Sequence, residues 1–579
     1  MKNNHGVTLV ELVIASMVGV ILLVATVLIL VFIFKMQMIF RQRNLGNMSW
    51  VAANEHLKKQ VHGSSYVKIP AANMLELYNY NGVVPTGRYT STSTGTSNNL
   101  YFDTDKITFE NVAATFEQVD TKNGKIVEVR VNYTSPTQLA SALVLKCGVD
   151  VKSDTWARTY GSALFDIAYS VQQTQDGGYI IAGYTQSASG SNMYVIKTDP
   201  DGDSSAGHGW QKTYSANAYG NIAYSVQQTT DGGYIIAGYT GPSGVSSFVY
   251  LIKTDSTGDD STGAGGWSRT YQYPGSYHNV AFSVQQTFDS SGNPDGYIVA
   301  GDTMYKITPT TSNLDWYVFK TDKYDGAPVW QKNFVSPLSL PTRRVNIARS
   351  VQQTRDTSGI PTGYIVAGFC ATTEIMNGPT AACLIKTGLN GDPVWPDASP
   401  IPYAKLFTFP GNANNYGYSV QQTFNSSGDP DGYIIVGATR LTQTSPGNVY
   451  LIKTDSDGNL QWQKTFGGVN VSGGECVRQT TDGGYIIAGS TNDGTYGAQA
   501  YLIKTDSNGD LSWPPRTFGG TGTDYATSVQ QTTDGGYIMT GYTDSYGTGG
   551  DVYVIKTDSE GNCPDAKTPI PDTTAPTPG

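Results

Sequence analysis

One short phrase, recurring seven times, governs what this chain can fold into. Ser-Val-Gln-Gln-Thr begins at Ser170, Ser225, Ser283, Ser350, Ser419 and Ser528, and the variant Cys-Val-Arg-Gln-Thr begins at Cys476. Each copy precedes a form of Gly-Tyr-Ile-Ile-Ala-Gly-Tyr-Thr, starting at Gly178, Gly233, Gly296, Gly363, Gly432, Gly484 and Gly536. A third run of the type Tyr-Leu-Ile-Lys-Thr-Asp starts at Tyr194, Tyr250, Tyr317, Cys383, Tyr450, Tyr501 and Tyr553. A Trp-bearing strand ends the units at Trp210, Trp267, Trp330, Trp395, Trp462 and Trp513. A period of about 50 to 70 residues holding four short strands is the signature of blades, each one unable to bury its apolar faces alone.

Four strands per unit predict a seven-bladed β-propeller, an all-β ring, with an open solenoid as the alternative. Asp-Gly-Gly sequences at Asp176, Asp231, Asp482 and Asp534 suit tight hairpins, because Gly accepts positive φ. The chain ends argue for closure. The last unit stops after Tyr553–Asp558 without a Trp strand, and a spare one, Thr155–Tyr160 with Trp156, lies upstream of the first unit. Lending that strand to the last blade would close the ring and leave no unpaired edge. The Thr-Asp-x-x-Gly-x-x-Trp pattern, as in Thr454–Trp462, resembles the blade motif of quinoprotein-like propellers. That resemblance implies that the seven Trp residues, Trp156 included, pack between neighbouring blades.

The N-terminus speaks to location. No residue from Leu12 to Phe34 is charged, and a helix of that length rises about 35 Å, enough to span a bilayer. Glu11 is the informative residue, since a carboxylate at the head of an apolar helix is costly unless something pairs with it. A short basic leader, Gly6, then Val7-Thr8-Leu9-Val10-Glu11 and an apolar helix resemble the type IV prepilin signature. The resemblance implies cleavage after Gly6 by a prepilin peptidase, methylation of Val7, and pairing of Glu11 with the terminal amine of a neighbouring subunit. Val7 departs from the commoner Phe. Lys35, Arg41 and Arg43 after the span outnumber Lys2 before it, which by charge alone favours a cytoplasmic C-terminus. The leader requires the opposite orientation, and large domains translocate regardless of such charges.

Residues 1–6 are thus expected to form a leader, 7–34 a transmembrane and assembly helix, and 35–150 a helix extension with a small antiparallel sheet. This α+β module resembles minor pilins and the J-type pseudopilins of type II secretion. Strands are expected at Tyr66–Ile69, Leu75–Tyr80, Leu100–Phe102, Lys106–Phe109, Ala114–Val119, Ile126–Tyr133 and Ala140–Lys146, with an Asn123-Gly124 hairpin turn and a loop over Thr86–Asn99. The propeller would fill 151–563, and the Pro/Thr-rich tail Pro564–Gly579 reads as disordered.

Five Cys without CxxC spacing exclude zinc-ribbon and thioredoxin-type sites. Cys147 and Cys563 flank the two closing strands and are candidates for a disulfide, as are Cys370 and Cys383 at facing positions of a hairpin in blade four. Cys476 reads as a buried thiol. A net charge of −10 argues against nucleic acid as a partner. Asp199, Asp201 and Asp203, like Asp255, Asp259 and Asp260, hint at a calcium loop, but the closing Glu of an EF-hand is missing and structural turns explain them better. No cofactor is expected. Gln pairs such as Gln172-Gln173 could line a channel and bind something polar, or tie blades together. Tyr219, Tyr277, Tyr416 and Tyr525 would suit sugar stacking as well as packing.

Arg is sparse and no Ser/His/Asp arrangement is evident, so a binding module is expected over an enzyme. The connections that vary most, Ile307–Asp315, Val335–Val345, Ala371–Ala382 and Phe409–Tyr416, fall on the face opposite the closing strands. The reading is a minor pilin, in the inner membrane as a precursor and then on the pilus, showing an unknown glycan, protein or surface a recognition face. A structural pseudopilin is the alternative.

Overall fold

In the computed structural model the chain divides into two compact units, residues 1–153 and 154–579. The structure describes the strand backbone between residues 66 and 148, and residues 155–578 apart from 189, 217–219, 243–245, 307–311, 335–344, 373–377, 396–402, 443–444, 468–471, 493, 495–496, 548 and 573–576. The leader, the helix expected over residues 7–34 with its extension, and Gly6, Val7 and Glu11 lie outside the described residues. Among the described residues no helix is long and apolar enough to cross a membrane.

In the first unit five strands from Tyr66–Ala71 to Ile107–Glu110 form an antiparallel sheet in chain order, and Val112–Thr121, Gly124–Tyr133 and Ser141–Gly148 form a second. The loop expected over Thr86–Asn99 is instead a hairpin, Gly87–Thr94 against Ser97–Phe102, with Thr94 paired to Ser97. Its alternating Thr and Ser favour extended backbone, and composition alone disguised this. Gly124 opens its strand opposite Thr121, so it is not a central turn residue.

The second unit is a ring of seven four-stranded antiparallel sheets. Blade one comprises Asp166–Gln173, Tyr179–Ser187, Gly190–Thr198 and Trp210–Tyr214, innermost strand first. The other innermost strands are Asn221–Gln228, His278–Phe288, Ile347–Arg355, Ser419–Phe424, Ser472–Gln479 and Asp524–Gln531. Blade seven takes its outer strand from the other end of the unit: Val552 pairs with Tyr160 and Lys556 with Trp156.

The innermost strands are laced together by side chains. The Ser of each Ser-Val-Gln-Gln copy accepts the Val N–H of the next blade, as Ser170 Oγ does from Val226 at 3.2 Å. The first Gln accepts the N–H of the next blade's second Gln: Gln172 from Gln228, Gln227 from Gln286, Gln285 from Gln353, Gln352 from Gln422, Gln421 from Gln479 and Gln530 from Gln173, all at 2.6–2.8 Å. The second Gln reaches back, as Gln173 does to the Thr533 N–H and Gln228 to the Gln175 N–H. These residues tie the blades together.

Two glycine positions explain the invariance of the second phrase and the turn. The innermost strand bulges at the residue before the Ser, with register shifts between Ala168 and Ser170, Ala223 and Ser225, Ala281 and Ser283, Ala348 and Ser350, Gly474 and Cys476, and Ala526 and Ser528. The bulge pushes a carbonyl at the middle strand, so that a Cβ on Gly183, Gly301 or Gly541 would sit 1.8 Å from an oxygen. The Gly of Thr-Asp-x-x-Gly adopts positive φ beneath the preceding blade's Trp, Gly202 under Trp156 and Gly458 under Trp395 among them. Six of these Trp rings also meet the Tyr of the neighbouring middle strand, from Trp156–Tyr179 to Trp462–Tyr485, with centroids 5.6–6.4 Å apart.

Trp395 and Trp513 precede their blades' outer strands, Ala404–Phe407 and Arg516–Phe518, and do not lie on them. Pro396 and Pro514-Pro515 follow them and have no N–H to give a ladder. The Pro/Thr tail also departs from expectation. Pro564–Lys567 makes a 3₁₀ turn, Ile570–Asp572 runs parallel to Trp156–Tyr160, and Thr577–Pro578 pairs with Lys212 and Thr213. The exposed edges of two outer strands recruit it.

Two outcomes test this account. Gly301→Ala should destabilise the propeller by about 1–3 kcal/mol or more, because backbone must move to admit the methyl group; thermal unfolding measures it. The Cys370–Cys383 disulfide closes a separation of 13 residues, and replacing both Cys with Ser should cost about 2–4 kcal/mol, read in denaturant titrations.

Candidate functional site

The antiparallel order puts the Asp-Gly and Thr-Asp turns, and the incoming strand at Trp156, on one face of the ring. The connections between second and third strands and from outer to next inner strand fall on the other. Each innermost strand runs from that loop face toward the turns, so its bulge residue rims the central channel on the loop-face side. Around the ring these residues are Tyr169, Tyr224, Phe282, Arg349, Tyr418, Glu475 and Thr527. Deeper in, Ser and Gln side chains line a cavity of about 340 Å³ into which Arg478 also projects.

The rim is an arc of aromatic rings interrupted by charge. Tyr169 and Tyr224 lie 4.8 Å apart by centroid, and Tyr224 and Phe282 4.9 Å. The Arg349 guanidinium continues the arc, 4.4 Å from the Phe282 ring centre and 5.6 Å from that of Tyr418. A second tier stands behind, in which Tyr184 stacks toward Tyr169, Tyr239 toward Tyr224, and Phe369 lies edge-on to Tyr416. Burial pushes the phenols of Tyr169, Tyr224 and Tyr418 up, so they stay protonated and can donate.

The charges are poorly compensated. Arg349 Nε, Arg440 Nε and Asp302 Oδ1 are buried without a hydrogen-bond partner among the described residues. His278 Nε2 lies 3.9 Å from Asp302 Oδ1. Burial raises the Asp302 carboxyl to about 7 against the opposing pull of Arg349. Glu475 is open to channel water, yet the enclosing walls strip its solvation and push its carboxyl up, with Arg349 and Arg440 pulling the other way. Nothing in the repeated phrases announces these groups. The signal available was the one column before Ser-Val-Gln-Gln where the repeat does not repeat.

Other expected site residues have structural roles. Asp199 Oδ1 accepts the Asp201 N–H at 2.9 Å and the Asp203 N–H at 2.8 Å, and its other oxygen lies 2.8 Å from His208 Nδ1. Asp199 and Asp203 converge with His208 within 4.8 Å, and Asp201 is not in the group. Asp255 staples its turn the same way, to Thr257 and Asp259. The Asp-Gly-Gly carboxylates do more than turn the chain: Asp176, Asp231 and Asp482 reach the buried Lys197, Lys253 and Lys504 at 2.7–2.9 Å. Blade four has Thr362 in that place, and burial depresses its Lys386.

Cys370 and Cys383 are bonded, with Cα atoms 6.1 Å apart, but diagonally, since Cys370 pairs with Ala381 and Cys383 with Gly368. Cys147, the partner expected for Cys563, lies outside the residues whose side chains the structure describes. Cys563 is a free thiol turned into the core with Ala157, Tyr553 and Ala566, where burial pushes it up to about 12. Cys476 is likewise free and buried. Of the four loop tyrosines, Tyr416 and Tyr525 join the aromatic tiers, Tyr277 bonds Ser312, and Tyr219 lies outside the described residues.

A prokaryotic N-terminal methylation motif matches residues 1–27, which include Gly6, Val7 and Glu11. The chain carries a prepilin-type N-terminus and a β-propeller. That motif marks a substrate of prepilin peptidase and a subunit of pilin-type assembly. Comparison with curated proteins gives no match. Among solved structures, Sqt1 from Chaetomium thermophilum is 9% identical, covering 77% of this chain and 93% of its own, with a TM-score of 0.35. The WD40 domain of SCAP from fission yeast is 10% identical over 76% of this chain and 95% of its own, with a TM-score of 0.31. An ancestral GH74 enzyme is 12% identical over 66% of this chain and 45% of its own, with a TM-score of 0.36. At such scores the blade assignment rests on the strand pairing above.

A buried carboxyl raised to about 7 holds a proton that the unfolded chain releases near the usual carboxylate value of about 4, so Asp302 makes the protein less stable as pH rises from there up to about 7. His278, depressed by its own burial, stays neutral there. Asp302→Asn should therefore raise the unfolding midpoint at pH 8 and flatten its pH dependence between about 4 and 7 in thermal scans.

Proposed function

We propose that this protein is a minor type IV pilin that carries its propeller on the pilus for ligand recognition or adhesion, and that it has no catalytic role. The observation that carries the reading is the pairing of a prepilin-type motif on residues 1–27 with a ring whose repeated residues all serve the scaffold. The columns left to vary, the rim and the loop-face connections, hold Tyr, Phe and Arg, the residues that dominate recognition surfaces. Glu11 would pair with a neighbouring subunit's terminal amine in the assembled filament. The alternative, a structural pseudopilin of type II secretion, shares the N-terminus and leaves the rim unexplained.

In a pilus-forming host, mass spectrometry should find the chain cut after Gly6 and methylated on Val7. Glu11→Gln should still be cut but should be lost from sheared filaments by about tenfold or more, the consequence of an unmet charge in apolar surroundings. Wild-type incorporation of that variant would overturn the assembly reading. Undiminished attachment to surfaces by filaments lacking residues 154–579 would overturn the adhesive one.

A further inference from the structure

The rim supports a more specific statement, which rests on the recognition reading. We propose that the loop-face mouth of the channel binds an acidic saccharide, its carboxylate held by Arg349 and Arg440 and its sugar rings stacked on Tyr169, Tyr224 and Phe282. Arg349 is clamped between two aromatic rings and its Nε has no partner among the described residues. Arg440 Nε is in the same state. Arg349 and Arg440 are the cations that oppose burial at Glu475 and Tyr418, and the Arg349 guanidinium lies 5.6 Å from the Tyr418 ring centre. A guanidinium with an unpartnered Nε–H matches a carboxylate, which accepts parallel N–H bonds from one guanidinium. Burial raises the carboxyls of Glu475 and Asp302 against the opposing pull of Arg349.

The aromatic arc favours a saccharide over an acidic peptide. Consecutive rings at 4.8 and 4.9 Å offer apolar faces with phenol donors at their edges, complementary to a pyranose with apolar faces and hydroxylated edges. A peptide would seek main-chain partners on a strand edge. The innermost strands have few to give, because N–H groups such as those of Val226, Gln228, Val284 and Gln286 are bonded to the neighbouring blade.

The test uses the full-length chain in detergent, titrated calorimetrically with oligogalacturonate, its fully methyl-esterified neutral form, tetraglutamate and inorganic phosphate. Oligogalacturonate should bind, the other three should bind at least about tenfold more weakly, and Arg349→Gln should weaken oligogalacturonate by a similar factor with Arg349→Lys recovering part of the loss. Tyr224→Ala and Arg440→Gln should each weaken it too, which keeps the test alive should Arg349→Gln fail to fold. Equal affinity for the neutral ester, the peptide or phosphate would overturn the proposal, as would unchanged binding by folded Arg349→Gln or no binding of oligogalacturonate at all. Assembly does not enter this measurement. Filaments that adhere through the propeller yet ignore Arg349→Gln would sink the saccharide site while leaving the recognition reading in place.

Discussion

The ring depends on side-chain acceptors that satisfy the innermost strands' N–H groups across every seam. A strand facing a channel would otherwise present a row of unmet donors, and each buried one costs about 1–3 kcal/mol. Ser and the first Gln reach forward and the second Gln reaches back, so each blade both gives and receives. This lacing explains why Ser-Val-Gln-Gln recurs with so little drift. Each residue is held to a distance near 3 Å from a partner in another repeat.

One seam differs. In blade six Cys476 and Arg478 stand where the other blades have Ser and Gln, and neither can accept as its counterparts do. Cys476 Sγ points at the Val529 carbonyl at 3.7 Å, and Arg478 donates to Val477 O and Ser419 Oγ. The junction of blades six and seven keeps the backward bond from the Thr481 N–H to Gln531 and a shared apolar core. The same blade contributes Glu475 to the rim, so the departures from the repeat cluster where the channel carries charge.

Periphery and centre are fastened by different physics. At the centre, side-chain hydrogen bonds align strands whose outward N–H groups would otherwise go unmet. Further out, Trp rings cap glycines of the next blade, and buried Lys ammoniums meet Asp carboxylates from the adjoining hairpin. Burial works to raise those carboxyls, and Lys197, Lys253 and Lys504 with turn N–H and Thr groups outweigh it at Asp176, Asp231 and Asp482, which lie below the usual range.

By itself the sequence determined the blade count, the strand order within a blade, the borrowed outer strand at Trp156 and the seams where Trp packs, because these follow from spacing along the chain. It misjudged Thr86–Asn99 and the tail because low-complexity composition says nothing about a vacant strand edge nearby. The rim of Tyr169, Tyr224, Phe282, Arg349, Tyr418 and Glu475 was decided only by the tertiary structure. Those residues are separated by more than fifty positions from one blade to the next, and only closure of the ring, with a bulge turning each toward the axis, brings them to a single mouth.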